Sequence, residues 1–309
     1  MVDEQLAQLY NRCRRDEPWS QRAMTPDDVA GLFQSQWFEP GMLALLELGG
    51  RVVGYSWTWR SRSGVEASLC VDPELPRWLR LTGAEALLSW ARRRGVEMGG
   101  GRLFIWAGYR YGYTHRLLVQ VLTGFVEVHG STLMRFSGSV RRAEPPPGYE
   151  IAMVEDPAEE EVLRGIVDVY NAAFSRYEWH FPRSYEDARR EFRRRRPVFF
   201  TALRGGEVVG YAELTRFRAV DGGVSVEVAV LAVKPEHQGR GLGKALLYRA
   251  VTYALEAMGV RERLFLVSVP GLEGFYASMG FSPWRGSVGI KIPVGALPST
   301  SYPLDVIQG

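Results

Sequence analysis

The spacing of apolar and polar positions changes period at several points along the chain, and those changes outline its elements. Val224, Val226, Val228 and Val230 recur at a period of two, with Ser225, Glu227, Ala229, Leu231 and Val233 on the other face, which predicts a strand from Val224 to Val233. Pro235 has no amide donor and ends the strand. From Leu242 the spacing becomes helical, with Leu242, Leu246, Ala250 and Tyr253 on one broad face, and a helix is predicted from Ala245 to Met258. Further helices are predicted at Ile166 to Phe174 and Tyr185 to Phe192. Strands are predicted at Val198 to Leu203, Glu207 to Arg216 and Arg263 to Val269. The expected fold class is α/β, of the mixed-sheet (α+β) kind, in which helices cover both sheet faces.

The pattern occurs twice. Gly50-Arg51-Val52-Val53-Gly54-Tyr55 parallels Gly206-Glu207-Val208-Val209-Gly210-Tyr211, and Val71-Asp72-Pro73-Glu74 parallels Val233-Lys234-Pro235-Glu236. Gly124-Phe125 parallels Gly280-Phe281. Spacings of roughly 155 to 162 residues fit two related folds rather than a short solenoid repeat. Pro145-Pro146-Pro147-Gly148 breaks both helix and strand, so the expected domains are 1–142 and 143–309.

Only the second half carries a glycine-spaced basic turn between its strand and its helix. Gly239, Gly241 and Gly243 let the backbone bend sharply and approach a ligand, while the helix N-terminus and Arg240 favour an anion. The residues alone read as a phosphate site or as a plain strand-to-helix turn. A Walker A loop is excluded, because Gln238 stands at the first glycine position and Ala245 follows Lys244. The dinucleotide fingerprint is excluded because Lys244 stands at its third glycine. At the matching point of the first half, Leu75 to Ala84 reads LPRWLRLTGA, with Trp78, Leu79 and Leu81 in place of a glycine-rich row.

Gln238-Gly239-Arg240-Gly241-Leu242-Gly243 resembles the Gln/Arg-x-x-Gly-x-Gly/Ala motif of the GCN5-related N-acetyltransferase (GNAT) superfamily. Leu231 to His237 looks like that family's fourth strand and its exit, and Gly274 to Phe281 resembles its late helix and the entry to its last strands. The resemblance is strong over about 150–293 and weaker over about 27–138. It implies tandem GNAT-like acyl-CoA acyltransferase folds, the first degenerate, in a layout similar to mycothiol synthase and other two-domain acetyltransferases. It further implies acetyl-CoA as cosubstrate, held by Leu231, Ala232, Val233, Gln238, Gly239, Arg240, Gly241, Leu242, Gly243 and Lys244, with its pyrophosphate on the turn. One departure is the family's frequent asparagine before the late helix. Val267-Ser268-Val269-Pro270-Gly271 occupies that region instead.

Two candidate catalytic residues follow. Glu227 lies eleven residues before Gln238, the separation at which the family's histone-acetylating branch carries its general base. The residue-level reading leaves three roles open for it: base, binder of the acceptor ammonium, or member of a structural ion pair. Tyr276 matches a tyrosine that commonly protonates the CoA thiolate, against a packing role for a buried aromatic. Glu213 is the competing acid, and His180, in the aromatic segment 177–182, reads either as a packing or loop contact or as an acceptor-side residue. His237 reads as a turn contact.

Composition bounds the rest. With 46% hydrophobic residues across 309 positions, the chain supports packed cores. A net charge of +3 argues against nucleic acid as a partner, and the run Arg193 to Arg196 reads first as a solvated helix end. Four scattered histidines and two cysteines give no metal-ligand pattern, and Cys13 and Cys70 read first as free thiols of a cytoplasmic protein, with a single disulfide as the alternative. No apolar run reaches the length of a membrane span. The expected function is direct acetyl transfer from acetyl-CoA to a primary amine of a small molecule or peptide, without a metal. The alternative is a catalytically weak acyl-CoA-binding sensor or regulatory protein.

Overall fold

A computed structural model describes residues 2–16, 20–34, 38–39, 41–61, 64–155, 160–177, 180 and 182–294, with the backbone of 306–308. The chain forms two compact units. Unit 1 comprises Met1–Ser131, Ala219–Gly223 and Arg285–Gly309, and unit 2 comprises Thr132–Arg218 and Val224–Trp284.

The first half of the chain runs α1 (Val2–Cys13), α2 (Pro26–Phe33), β1 (Leu43–Leu48), β2 (Arg51–Ser61), β3 (Gly64–Val71), α3 (Arg77–Glu97), β4 (Arg102–Tyr109), α4 (Tyr113–Val121) and β5 (Val126–Phe136). After β6 (Glu150–Val154) the same order returns as α5 (Glu160–Phe174), α6 (Tyr185–Arg195), β7 (Val198–Arg204), β8 (Glu207–Arg218), β9 (Val224–Val233), α7 (Leu242–Glu256), β10 (Leu264–Ser268), α8 (Glu273–Ala277) and β11 (Phe281–Pro293). β12 (Val306–Gln308) ends the chain's elements and pairs with β1. Local chemistry sets several starts. Thr25 caps α2 in a reciprocal box with Asp28, with Pro26 as its first helical residue, and Ser184 caps α6 through the Asp187 amide.

Each packed unit is assembled from separate segments of the chain, and its core takes a late strand from elsewhere in the sequence. β11 pairs antiparallel with β4, Ile290 opposite Ile105 and Ile292 opposite Leu103, and buries Val288, Ile290 and Ile292 in the core of unit 1. The far end of β5 pairs antiparallel with β10, Met134 opposite Leu266, and buries Met134 and Phe136 in the core of unit 2.

Among the described residues each unit shows one parallel strand pair, and each pair is short. β3 and β4 pair from Val65–Leu103 to Ser68–Trp106, and β9 and β10 from Val226–Leu264 to Val228–Leu266. Beyond those points β3 continues to Val71 and β9 to Val233, so the strands part toward their C-terminal ends. Open α/β sheets bind ligands at such a parting. In unit 2, Val226 and Val228 face Leu246, Leu247 and Ala250 of α7. The opposite sheet face, with Phe199, Tyr211 and Ala232, carries Leu163, Ile166 and Val169 of α5.

One expectation is corrected. Cys13 and Cys70 are joined as a disulfide with Cα atoms 6.3 Å apart, the alternative to the free thiols that the sequence reading put first. Leu6, Leu9 and Cys13 of α1 share a core cluster with Leu43, Tyr55 and Cys70, and this packing brings together two residues 57 positions apart.

Candidate functional site

The turn that ends β9 has the backbone its glycines require. Gly239 and Gly241 sit at φ of +75° and +88°, in the left-handed region that other residues enter only with strain. A Cβ at either position would meet no protein atom within 4 Å, so the glycines serve the backbone conformation and keep the outer face of the turn open. Gln238 anchors the turn through its Nε2, which donates to the Val233 carbonyl at 2.8 Å. Gly241 caps α7, and the first amides of that helix have no intrahelical acceptor.

These amides border a cleft of about 490 Å³. Its lining gathers Leu231, Ala232 and Val233 of β9 with Gln238, Gly239, Gly241, Leu242, Gly243 and Lys244 of the turn, and with Tyr276 of α8. Arg240 is exposed, outside the lining, with Nη2 donating to the Glu236 carbonyl. His237 also borders the cleft, and its Nδ1 bonds the Tyr149 hydroxyl at 2.9 Å. Burial pushes the Tyr276 hydroxyl up to about 12, with a second contribution from the nearby Tyr177 phenol. Sequence reasoning missed the far wall, which consists of Ala173, Phe174, Arg176 and Tyr177 at the end of α5. Its one sequence signal is an aromatic and cationic run directly after an amphipathic helix.

The candidate acids lie on the sheet face that meets α5 and α6, outside the lining of this cleft. Glu227 is opposite Thr215 of β8 and beside Phe265 of β10. It is half-buried, and burial raises its carboxyl above the usual range against the pull of Arg195. Glu213 is only 2% exposed. Thr215 Oγ1 donates to its Oε1 at 3.4 Å, and Oε2 makes no hydrogen bond among the described residues. Desolvation lifts Glu213 to about 7, opposed by the Arg183 guanidinium and reinforced by Glu191. His180 is buried with its ring 5.5 Å from that of Tyr170. Residues 178, 179 and 181 of the same aromatic segment lie outside the described residues. The α6 arginines mostly meet acids of their own helix: Arg190 is 2.6 Å from Asp187 and Arg195 3.0 Å from Glu191.

Unit 1 treats the matching positions differently. α3 starts at Arg77 after Pro76, so the residues that replace the glycine turn are already helical, and the Arg80 amide donates to the Pro76 carbonyl at 3.1 Å. The Tyr113 hydroxyl donates to the carbonyl of Val71 at 2.7 Å, linking the end of β3 to the start of α4. In unit 2 Val233, which matches Val71, and Leu272 at the N-cap of α8 both line the open cleft. Asp72 is fully buried between Arg12 at 3.0 Å and Arg51 at 2.8 Å. A space of about 210 Å³ is bordered by Cys13, Asp16, Ser68, Trp106 and Tyr113, away from the start of α3.

Among the described residues no group of three or more His, Cys, Asp or Glu is arranged to hold a metal, and no helix is long and apolar enough to cross a membrane. Residues 166–281 match the model of the acetyltransferase (GNAT) family. No curated protein matches the chain. Among solved structures, the chain is similar to a tandem GNAT protein from the clavulanic acid biosynthesis pathway, at 17% identity and a TM-score of 0.67 over 96% of this chain and 97% of that one. It is similar to a GCN5-related N-acetyltransferase from Sphaerobacter thermophilus at 18% identity and 0.62, over 97% of this chain and 95% of that one. A fungal GCN5-related glucosamine N-acetyltransferase region follows at 13% identity and 0.58, over 94% of this chain and 37% of its longer multi-domain protein. The fold is therefore of GNAT type, in a tandem layout.

Proposed function

We propose that this chain is an acetyl-CoA-dependent N-acetyltransferase whose cosubstrate lies in the glycine-turn cleft of unit 2. The observation that carries the reading is one cavity bordered by left-handed glycines, a helix N-terminus, Lys244 and the Tyr276 phenol. The fit to acetyl-CoA is chemical: amides at a helix start, an adjacent lysine and an open outer turn face suit a diphosphate. Apolar Leu231, Leu242 and Phe275 suit the thin pantetheine arm.

When bound, acetyl-CoA supplies an acyl group activated as a thioester. The chain's residues then have three tasks. Glu227 takes the proton of an ammonium acceptor, directly or through water, so that nitrogen has a free pair. Its burial-raised carboxyl suits that role, since a more basic carboxylate is a better proton acceptor. The Leu231 backbone amide stabilises negative charge developing on the acyl oxygen. The Tyr276 hydroxyl, held protonated by burial, stands as the proton donor to the departing sulfur. Glu213 and His180 are proposed for the acceptor side, with an acceptor that is a small-molecule or peptide amine. The first half of the repeat, 1–142, is read as a degenerate copy and the second, 143–309, as the catalytic one. The cytoplasmic setting read from free thiols loses that ground with the Cys13–Cys70 disulfide, and nucleic acid is not a proposed partner.

The test is acetyl-CoA consumption by the purified chain against a panel of amino acid derivatives, polyamines, amino sugars and peptides. Acceptor-dependent release of free thiol supports the reading. Tight acetyl-CoA binding with no turnover on any amine class would favour the sensor instead.

A further inference from the structure

The sheet face beneath α5 and α6 buries three polar groups whose hydrogen bonding the fold leaves incomplete. Tyr211 is fully buried and Glu213 nearly so, yet the Tyr211 hydroxyl and Glu213 Oε2 make no hydrogen bond among the described residues. Both side chains leave β8 on the same face, two residues apart. The third group is Arg183, just before α6, whose Nη1 is buried and also without a partner. Buried polar atoms in this state are costly, so the three together call for an occupant.

Arg183 is held in place from α5. Asn171 Nδ2 donates to the Arg183 carbonyl at 3.0 Å, and the Arg183 amide donates to Asn171 Oδ1 at 2.8 Å. The guanidinium lies 4.3 Å from the ring centre of Tyr170 and 5.8 Å from that of Phe192. Its one ion pair among the described residues, to Glu191, is long at 3.7 Å. Arg183 and Glu213 act on each other electrostatically without pairing, so the donor of one and the acceptor of the other stay available to a third party. Glu213 is opposite Val230 and Thr215 is opposite Glu227, which makes the two carboxylates neighbours on one face of β8 and β9. Leu231, the residue after Val230, already lines the cosubstrate cleft. The cluster reaches the surface at its edges, where Glu227 is half-buried and the side chains of Arg183 and Glu191 are 20% and 27% exposed.

We propose that this cluster is the acceptor subsite of unit 2, and that the acceptor is an amine that also carries a carboxylate, of the amino acid class. This rests on the N-acetyltransferase reading given above. The occupant must accept a hydrogen bond from Arg183 Nη1 and donate one to Glu213 Oε2. An amino acid does both, with its carboxylate on the guanidinium and its ammonium between Glu213 and Glu227. The Tyr211 hydroxyl can donate or accept and so serves either end. An amine without a carboxylate leaves Arg183 buried and unmet, and that penalty is the source of selectivity.

The test compares amino acids with the decarboxylated amines and the carboxamides of the same skeletons, at saturating acetyl-CoA. The parent chain should prefer the amino acid by about 100-fold in kcat/KM, the scale of one buried charge-assisted hydrogen bond. Arg183→Gln should raise KM for the amino acid by about that factor, while the decarboxylated amine and the acetyl-CoA dissociation constant stay nearly unchanged. Arg183→Lys should recover part of the preference by restoring the charge. Calorimetric titration of the same amino acids into the chain loaded with CoA needs no turnover, and binding should be lost in Arg183→Gln. No preference for carboxylated amines in the parent, a measurement that needs no variant, overturns the subsite. So does an unchanged preference in folded Arg183→Gln, which would mean that solvent completes the cluster. Binding of an amino acid by the parent and not by Arg183→Gln, with no amine of any class acetylated, keeps the subsite and overturns instead the transferase reading.

Discussion

Residues 239–243 and 77–81 stand at the same point of the repeat, after a parallel strand and at the approach to a long helix, yet their first residues take different backbones. In unit 2 two left-handed glycines delay the helix until Leu242 and leave its first amides facing a cleft. In unit 1 the helix starts immediately after Pro76, and exposed Trp78 stands where the turn would be. The difference extends beyond the turn: a tyrosine hydroxyl links strand end to helix start and a disulfide ties α1 to β3. One scaffold can thus hold an open parting of strands or use the same parting as a tied structural joint. What separates the two is a handful of residues at the strand end, since the elements run in the same order in both halves.

If unit 2 is the working copy, the largest effect belongs to its acid. Glu227→Gln should lower kcat by about 100- to 10,000-fold at neutral pH with little change in acetyl-CoA affinity. The defect should shrink at high pH, where the acceptor amine is already neutral, and pH–rate profiles at saturating substrate check it. Near-parental turnover across the whole range would shift the base to Glu213 or to solvent.

The tie in unit 1 comes next. Reducing the disulfide, or Cys13→Ala, should lower stability by about 2 to 4 kcal/mol, read from denaturant melts with and without a thiol reductant. Acetyl-CoA affinity should not change. A matching loss of affinity would show that unit 1 is not merely structural.

A smaller effect concerns Glu213. Its carboxyl is protonated more readily in the folded chain, at about 7, than in the unfolded one, near 4.5. Between those values the folded state binds the extra proton, so rising pH removes stability, by at most about 3 kcal/mol. Glu213→Gln cannot ionise, and its melting temperature relative to the parent should climb from pH 5 to pH 8. A difference flat with pH would mean that the carboxyl stays charged in the fold.

The smallest expected change is at Gly83 in α3. A Cβ there would lie 3.1 Å from Leu46 and 3.4 Å from Val71, so Gly83→Val should cost about 1 to 3 kcal/mol by overpacking. Acetyl-CoA affinity should again be unchanged by a dye-displacement assay.

Period and punctuation made much of this architecture legible. The valine alternation, Pro235 and the glycine spacing give β9, the turn and α7 to within a few residues, because each is fixed by neighbours in sequence. The repeat was visible for the same reason. What escaped depends on partners far along the chain. The pairing of Cys13 with Cys70 follows from how α1 packs on β3, and the placement of β5 and β11 follows from which core accepts their apolar residues. Arg176 and Tyr177 reach the cleft only because α5 ends beside the glycine turn. The burial that raises Glu213 comes from α5 and α6 lying over its strand.

The central claim is that the glycine turn of unit 2, and not its counterpart in unit 1, holds the cosubstrate. Isothermal titration of the purified chain with acetyl-CoA, for the parent and for Gly241→Val, tests it most directly. A branched residue at φ of +88° is strained, and its side chain would project into the open face where a diphosphate must approach. The expected result is one molecule bound per parent chain and an affinity at least about 100-fold weaker in the folded variant. Two molecules bound by the parent, or unchanged affinity in Gly241→Val, would contradict it.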